Sequence, residues 1–307
     1  MRQIIFGIIL TCPVFTVTSQ SVAERLGYSA DAKLLIINND DAGMCHAANV
    51  ATIAGLENGL MSSATIMVPC PWYSEIAEYA RNNPDKSFGV HLTLTSEWRH
   101  YRWRPLLSKE EVPGLYAPDG YMWRRVQDVY RTSNPNEALL EGRAQIQRAL
   151  DDGIHVTHID SHMGTYQYDY AYQQVYMQLA AEFDLPLRMP SQSLCDAMGF
   201  PNLRKDFADK GLVFPDFLIL VEDNNYDNRV KEYWIETLSN LQAGITEILI
   251  HGTIANDESR AITSSAETRN KEFDAFMHDE DIRKLIEDQG IIIIGYKPLK
   301  DLQRKRE

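Results

Sequence analysis

Cysteine is scarce in this chain: 307 residues hold four, and Cys12 falls within the first twenty. The other three, Cys45, Cys70 and Cys195, are widely spaced and odd in number. That excludes a disulfide framework and gives no paired spacing of a zinc knuckle or redox motif, so they read as small buried hydrophobes. Basic charge is also short, with 30 Lys and Arg against 43 Asp and Glu and a formal net charge of −13. Nucleic acid and anionic membrane both require a basic face and are excluded as main partners. The apolar run Ile4 to Phe15 is interrupted by Pro13 and is too short to span a bilayer. With Arg2 before it and Val17-Thr-Ser19 after it, residues 1–19 read as a secretory signal peptide cleaved before Gln20, which implies a secreted or periplasmic protein. Lipidation at Cys12 is the one route to a membrane association. No low-complexity linker divides the remainder, which reads as one domain over about residues 31–302.

What is present is an alternation of apolar strand-like runs with helical spacing. Lys33 to Asn38, Ser63 to Val68, Phe88 to Thr95, His155 to Asp160, Leu187 to Met189, Phe217 to Val221, Glu247 to His251 and Ile291 to Tyr296 read as strands. Helices are expected over Ala47–Glu57, Trp72–Asn82, Asn134–Ala149, Ala171–Phe183, Arg229–Leu241 and Phe273–Asp288. Repeated strand and helix in this length favour a distorted (β/α) barrel of parallel strands over an open doubly wound sheet. Residues 96–135 break the alternation. They are aromatic-rich and lack a period, and read as an insertion after the third strand. The segment after Met189 reads as loop, and the Lys- and Arg-rich end from Lys300 as a solvated face.

Metal-type side chains collect at strand ends. Asp40 and Asp41 follow the first strand, with Gly43 placed to permit the bend that would turn both carboxylates to one site. His91 ends the third strand and His162 the fourth. A carboxylate and two imidazoles make a three-ligand site with open positions, so Asp41, His91 and His162 are the candidate metal ligands. His158 and Asp160 share the His162 face of their strand and are expected to support the ligands. His251 closes another strand and is a candidate polarising group or general acid. Trp98 and Trp103 of the insertion, with Tyr166 after His162, are candidates for contact with a sugar ring.

The Asn39-Asp-Asp-Ala-Gly43 turn, the Gly89-Val-His-Leu-Thr-Leu94 strand, the Thr157-His-Ile-Asp-Ser-His162 block and the Glu247-Ile-Leu-Ile-His251 ending resemble the YdjC-like carbohydrate deacetylases, which include chitooligosaccharide deacetylases. The resemblance implies a distorted (β/α) barrel and a metal-dependent hydrolase that removes acetyl groups from N-acetylated mono- or oligosaccharides. It makes Asp40 the proton acceptor and Asp41, His91 and His162 the ligands of a divalent ion, Mg2+ or alternatively Zn2+. Three stretches depart from the family pattern: Asp41-Ala-Gly43 lacks the Phe that often follows the paired Asp, His162-Met-Gly-Thr-Tyr166 lacks further histidines, and His251-Gly252 stands where a His-Pro pair is expected. Two other readings compete. One is a secreted carbohydrate-binding protein on the same barrel without turnover; the other is a glycoside hydrolase using Asp40 and Asp160. Nothing in the sequence speaks to oligomeric state.

Overall fold

The computed structural model describes residues 20–221, 226 and 228–305. The expected signal peptide and Cys12 lie outside them. Seven parallel strands form one sheet: β1 Lys33–Ala42, β2 Ser63–Ile66, β3 Phe88–Leu92, β4 Val156–Ser161, β5 Phe217–Ile219, β6 Gly244–Ile250 and β7 Ile292–Ile293. Their order is β4-β3-β2-β1-β6-β5, with β7 beside the start of β1. β1 is buried along nearly its whole length, as expected of a strand covered on both faces. Its neighbours β2 and β6 meet it on opposite edges.

The sheet curls into a distorted barrel. Leu187 extends it past β4 through a parallel bridge to Ile159. Among the described residues, no backbone ladder joins that segment to β5. The seam is spanned by the Ser191 hydroxyl, which accepts from the Leu218 N–H at 2.8 Å and donates to the Leu218 carbonyl at 3.2 Å. The main core lies between strands and helices, and a smaller cluster of Leu34, Ile36, Val213, Ile245, Ile294, Tyr296 and Leu299 fills the end away from the paired aspartates.

Several expectations change. The segment after Met189 is not all loop, since it carries helices Gln192–Ala197 and Leu203–Asp209. The helix expected over Phe273–Asp288 is two, Ala266–Met277 and Glu280–Asp288, because Asp279 caps the second by accepting from the Asp281 and Ile282 N–H groups. The last strand is two residues long, and in the end from Lys300 on, expected as a solvated face, helix Lys297–Arg304 buries Gln303 while Asp301, Arg304 and Lys305 are exposed. Residues 93–134 contribute no strand to the sheet and carry a short 3-10 turn, Pro113–Leu115, and a helix, Val126–Thr132.

Candidate active site

The carboxyl end of β1 bends at Asp41 itself, whose φ of 64° lies in the left-handed region that Asp tolerates better than most residues. The β1–β2 register shifts between Asn39 and Ala42, so the strand loses its alternation there. Gly43 follows at φ 88° and donates its N–H to Asn49 Oδ1 at 2.6 Å. Asp40 and Asp41 thus reach one site although they are adjacent in sequence, and both are buried.

Three atoms form a nearly equilateral triangle there: Asp41 Oδ1 and His91 Nε2 are 3.4 Å apart, Asp41 Oδ1 and His162 Nδ1 3.4 Å, and His91 Nε2 and His162 Nδ1 3.3 Å. Two ligands about 2.1 Å from one ion and about 109° apart lie about 3.4 Å from each other. Among the described residues, Asp41 Oδ1 is buried with the two imidazole nitrogens at 3.4 Å and no partner at ordinary hydrogen-bond geometry, an expensive arrangement unless a cation completes it. The donor set, its spacing and this oxygen fit a divalent ion, and Asp41, His91 and His162 form a group able to hold one.

Each donor is held from behind. His91 Nδ1 meets Asp160 Oδ1 at 2.6 Å, and His162 Nε2 meets Glu97 Oε2 at 3.0 Å. Both imidazoles can therefore donate outward to a carboxylate while the inner nitrogen keeps its lone pair. Arg269 Nη1 donates to Asp41 Oδ2 at 2.7 Å, leaving Oδ1 to the triangle. Burial pushes the His91 pKa down, but Asp160 and Asp40 outweigh it and raise it to about 10. For His162 burial is outweighed by Glu97 and Asp41, and the value rises to about 9. A divalent ion at the triangle would displace these protons and leave both inner nitrogens with their lone pairs free to ligate.

Behind the triangle Arg188 faces three carboxylates. Its Nη1 and Nη2 donate to the two oxygens of Asp40, each at 2.7 Å; Nη1 lies 2.9 Å from Asp160 Oδ2, and Nε donates to Glu247 Oε1 at 2.8 Å. Burial raises the Asp40 pKa, but Arg188 and then His91 more than reverse this, holding the carboxyl well below its usual range. Glu247 keeps a burial-driven rise, to about 7, although Arg188 and the Tyr296 hydroxyl oppose it. A buried cation shared among carboxylates fixes their orientation more than it stabilises the fold.

Other expected residues fall differently. His251 is half-buried, donates its backbone N–H to Glu272 Oε2 at 2.8 Å, and is near enough to lower the pKa of both Asp40 and Asp41. Gly252 replaces the expected Pro where a Cβ would come within 2.8 Å of Met61 Cε and 3.1 Å of Asn39 Oδ1. Trp103 is buried with its ring centroid 6.3 Å from that of His162, and its indole N–H has no hydrogen-bond partner among the described residues. Trp98 is half-buried, with the Arg269 guanidinium 5.9 Å from its ring centroid.

Two expectations are corrected. Tyr166 is fully buried and donates its hydroxyl to the Ala138 carbonyl at 2.7 Å, packing against Gly142 rather than facing a ligand. His158 touches none of the three donors: it lies about 7 Å deeper along β4 than Asp160, and its ring stacks on Tyr296 at 3.7 Å. Gly89 leaves the space its ring occupies, and burial drives its pKa down, so it is neutral. Sequence reasoning missed Arg188, Glu247, Glu97 and Arg269. Arg188 and Glu247 each interrupt an apolar run, a sign that a buried charge has a partner elsewhere. Glu97 and Arg269 carry no such sign.

A parallel α/β barrel with a cluster of carboxylates and imidazoles at the strand ends defines the class of protein. The family is given by the match of residues 34–288 to the YdjC-like protein model: the chain belongs to the YdjC-like family. Curated relatives include proteins named carbohydrate deacetylase from Thermoanaerobacter pseudethanolicus, 28% identical over 87% of this chain and all of the relative, and from Thermus thermophilus, 31% identical over 86% and 93%. A crystal structure of an Enterococcus faecalis protein, named for a suggested role in cellobiose-phosphate cleavage, superposes with a TM-score of 0.75 at 26% identity, covering 87% of this chain and 99% of that one.

Proposed function

We propose that this protein is a metal-dependent carbohydrate deacetylase that hydrolyses the acetamide of an N-acetylated mono- or oligosaccharide. The observation that carries the reading is the triangle of Asp41 Oδ1, His91 Nε2 and His162 Nδ1 beside the separately clamped Asp40 carboxylate. The names of the relatives supply the substrate class. Asp41, His91 and His162 would hold the ion, Mg2+ or Zn2+; the two imidazoles favour zinc, and open positions suited to oxygen ligands accommodate magnesium. A bound divalent ion supplies polarisation of the acetamide carbonyl and acidification of a water.

The protein residues do the rest. Asp40 is kept ionised by Arg188 and accepts the proton of the attacking water; its Oδ2 lies 4.0 Å from His91 Nε2, next to the triangle without being part of it. Arg188 and the Asn38 amide, which donates to Asp40 Oδ1 at 2.8 Å, fix the direction of that carboxylate. His251 is assigned the return of a proton to the leaving amine. The Trp103 ring walls the side of the site next to His162. Asp40→Asn tests the assignment: acetate release should fall at least about a thousandfold with bound metal unchanged, whereas full activity in this variant would remove Asp40 as the base.

A further inference from the structure

The rings expected to meet a sugar are mostly covered, whereas two that were not singled out are open. Tyr168 and Tyr170 are 56% and 58% exposed. Tyr168 lies in the loop that leaves β4 through His162, and Tyr170 opens the helix Tyr170–Glu182 that follows it. In that loop Gly164, at φ 63°, lets the Tyr168 ring lie directly on the backbone; a Cβ there would come within 2.4 Å of the ring. Met163, beside His162, is 50% exposed. Tyr170 stacks on Phe200 with centroids 6.3 Å apart and planes 28° apart.

Tyr170 and Phe200 border a shallow cavity of about 310 Å³, also lined by Asn202 and Asp206. That volume is at the small end of organic-ligand sites, about 300–1,000 Å³. Phe200, Asn202 and Asp206 belong to the excursion that follows the Leu187 segment, which pairs in parallel with β4. The segments that follow two neighbouring parallel strands, one after β4 and one after Leu187, therefore meet at Tyr170 and Phe200, beyond the carboxyl ends of those strands. Exposed tyrosine faces can cover the C–H face of a pyranose, and an exposed carboxamide and carboxylate at the rim suit its hydroxyls.

We propose that Tyr168, Tyr170 and Phe200, with Asn202 and Asp206 at the rim, form a subsite for a further sugar ring of the same acetylated chain. The site then reads saccharide length by apolar stacking outside the reacting centre. The choice of a saccharide rests on the deacetylase reading. Each ring covered should tighten binding about threefold to tenfold, the scale set by a few tens of Å² of apolar area.

The test is titration calorimetry of the metal-free full chain, where turnover does not intrude, with one to four rings of a single N-acetylhexosamine. Two- to four-ring ligands should bind at least about tenfold more tightly than the single ring. Y168A/Y170A should bring their affinity down toward the one-ring value, while Y168F/Y170F, which keeps the ring faces, should preserve the preference. No length preference in the unaltered protein, no binding at all, or an undiminished preference in Y168A/Y170A would overturn the subsite. Acetate is then measured on the same samples with metal restored. Length-dependent binding without acetate would sink the deacetylase reading and leave the subsite standing; acetate without length dependence would do the reverse.

Discussion

At the scale of single residues, the three donors and their supports make separable predictions. His91→Ala or His162→Ala leaves two protein donors and should lose most bound metal and nearly all turnover, while His278→Ala, exposed and packed edge-on against Phe273, should change neither. Metal analysis with circular dichroism checks this. Glu97→Gln should weaken metal binding about tenfold without unfolding, because it removes only the group that orients His162. His91 and His162 also set a pH dependence in the metal-free protein. Their folded pKa values, about 10 and about 9, lie above the unfolded value. Their contribution to stability is therefore full below about pH 6.5 and is lost as pH rises through 9 to 10. Melting temperature without metal should fall across that window, and more steeply in the native protein than in His91→Ala. The donors were legible in the sequence because each ends a strand. Their supports were not, since Arg188 reaches Asp40 across 148 positions and Arg269 reaches Asp41 across 228. His158 misled because period-two spacing shows which face a residue shares, not how deep it lies.

At the scale of elements, strands buried on both faces announced themselves as apolar runs, and β1 to β4 and β6 fall where those runs lie. Short helices in the excursions did not. Gln192–Ala197 and Leu203–Asp209 are too brief to show a period, and the segment's Pro and Ser content resembles loop. The break at Asp279 was hidden because apolar spacing continues on both sides of a residue whose capping role depends on local backbone geometry. Closure of the barrel was equally unreadable, resting on the Ser191 hydroxyl at Leu218 and on the Arg204 guanidinium between the Pro190 and Pro215 carbonyls rather than on a ladder. Ser191→Ala should strip the Leu218 N–H of its partner and cost about 1–3 kcal/mol in chemical denaturation, with metal content unchanged because the seam lies apart from the donors. Retention of full stability would show that the seam needs no such link.

At the scale of the whole molecule, the YdjC-like family and relatives named carbohydrate deacetylase support a hydrolase, and the proposed function adds a divalent ion beside the reacting carbonyl. The acidic balance of the chain, −13 overall, accords with a neutral substrate. The binding-only alternative leaves unexplained why a separate carboxylate, Asp40, is clamped by a buried guanidinium next to the three donors. The glycosidase alternative fits less well, since Asp40 and Asp160 share the Arg188 guanidinium and both are turned toward it. The reading of residues 1–19 as a signal adds that the exported chain should begin at Gln20, which N-terminal sequencing of secreted material checks. The central claim is tested most directly by acetate release from a panel of N-acetylated saccharides, with the protein stripped of metal and then supplied with Mg2+ or Zn2+. The account predicts acetate from at least one saccharide, abolished by stripping and restored by a divalent ion, with no new reducing ends. Acetate that persists without metal, or chain cleavage in place of acetate, would contradict it.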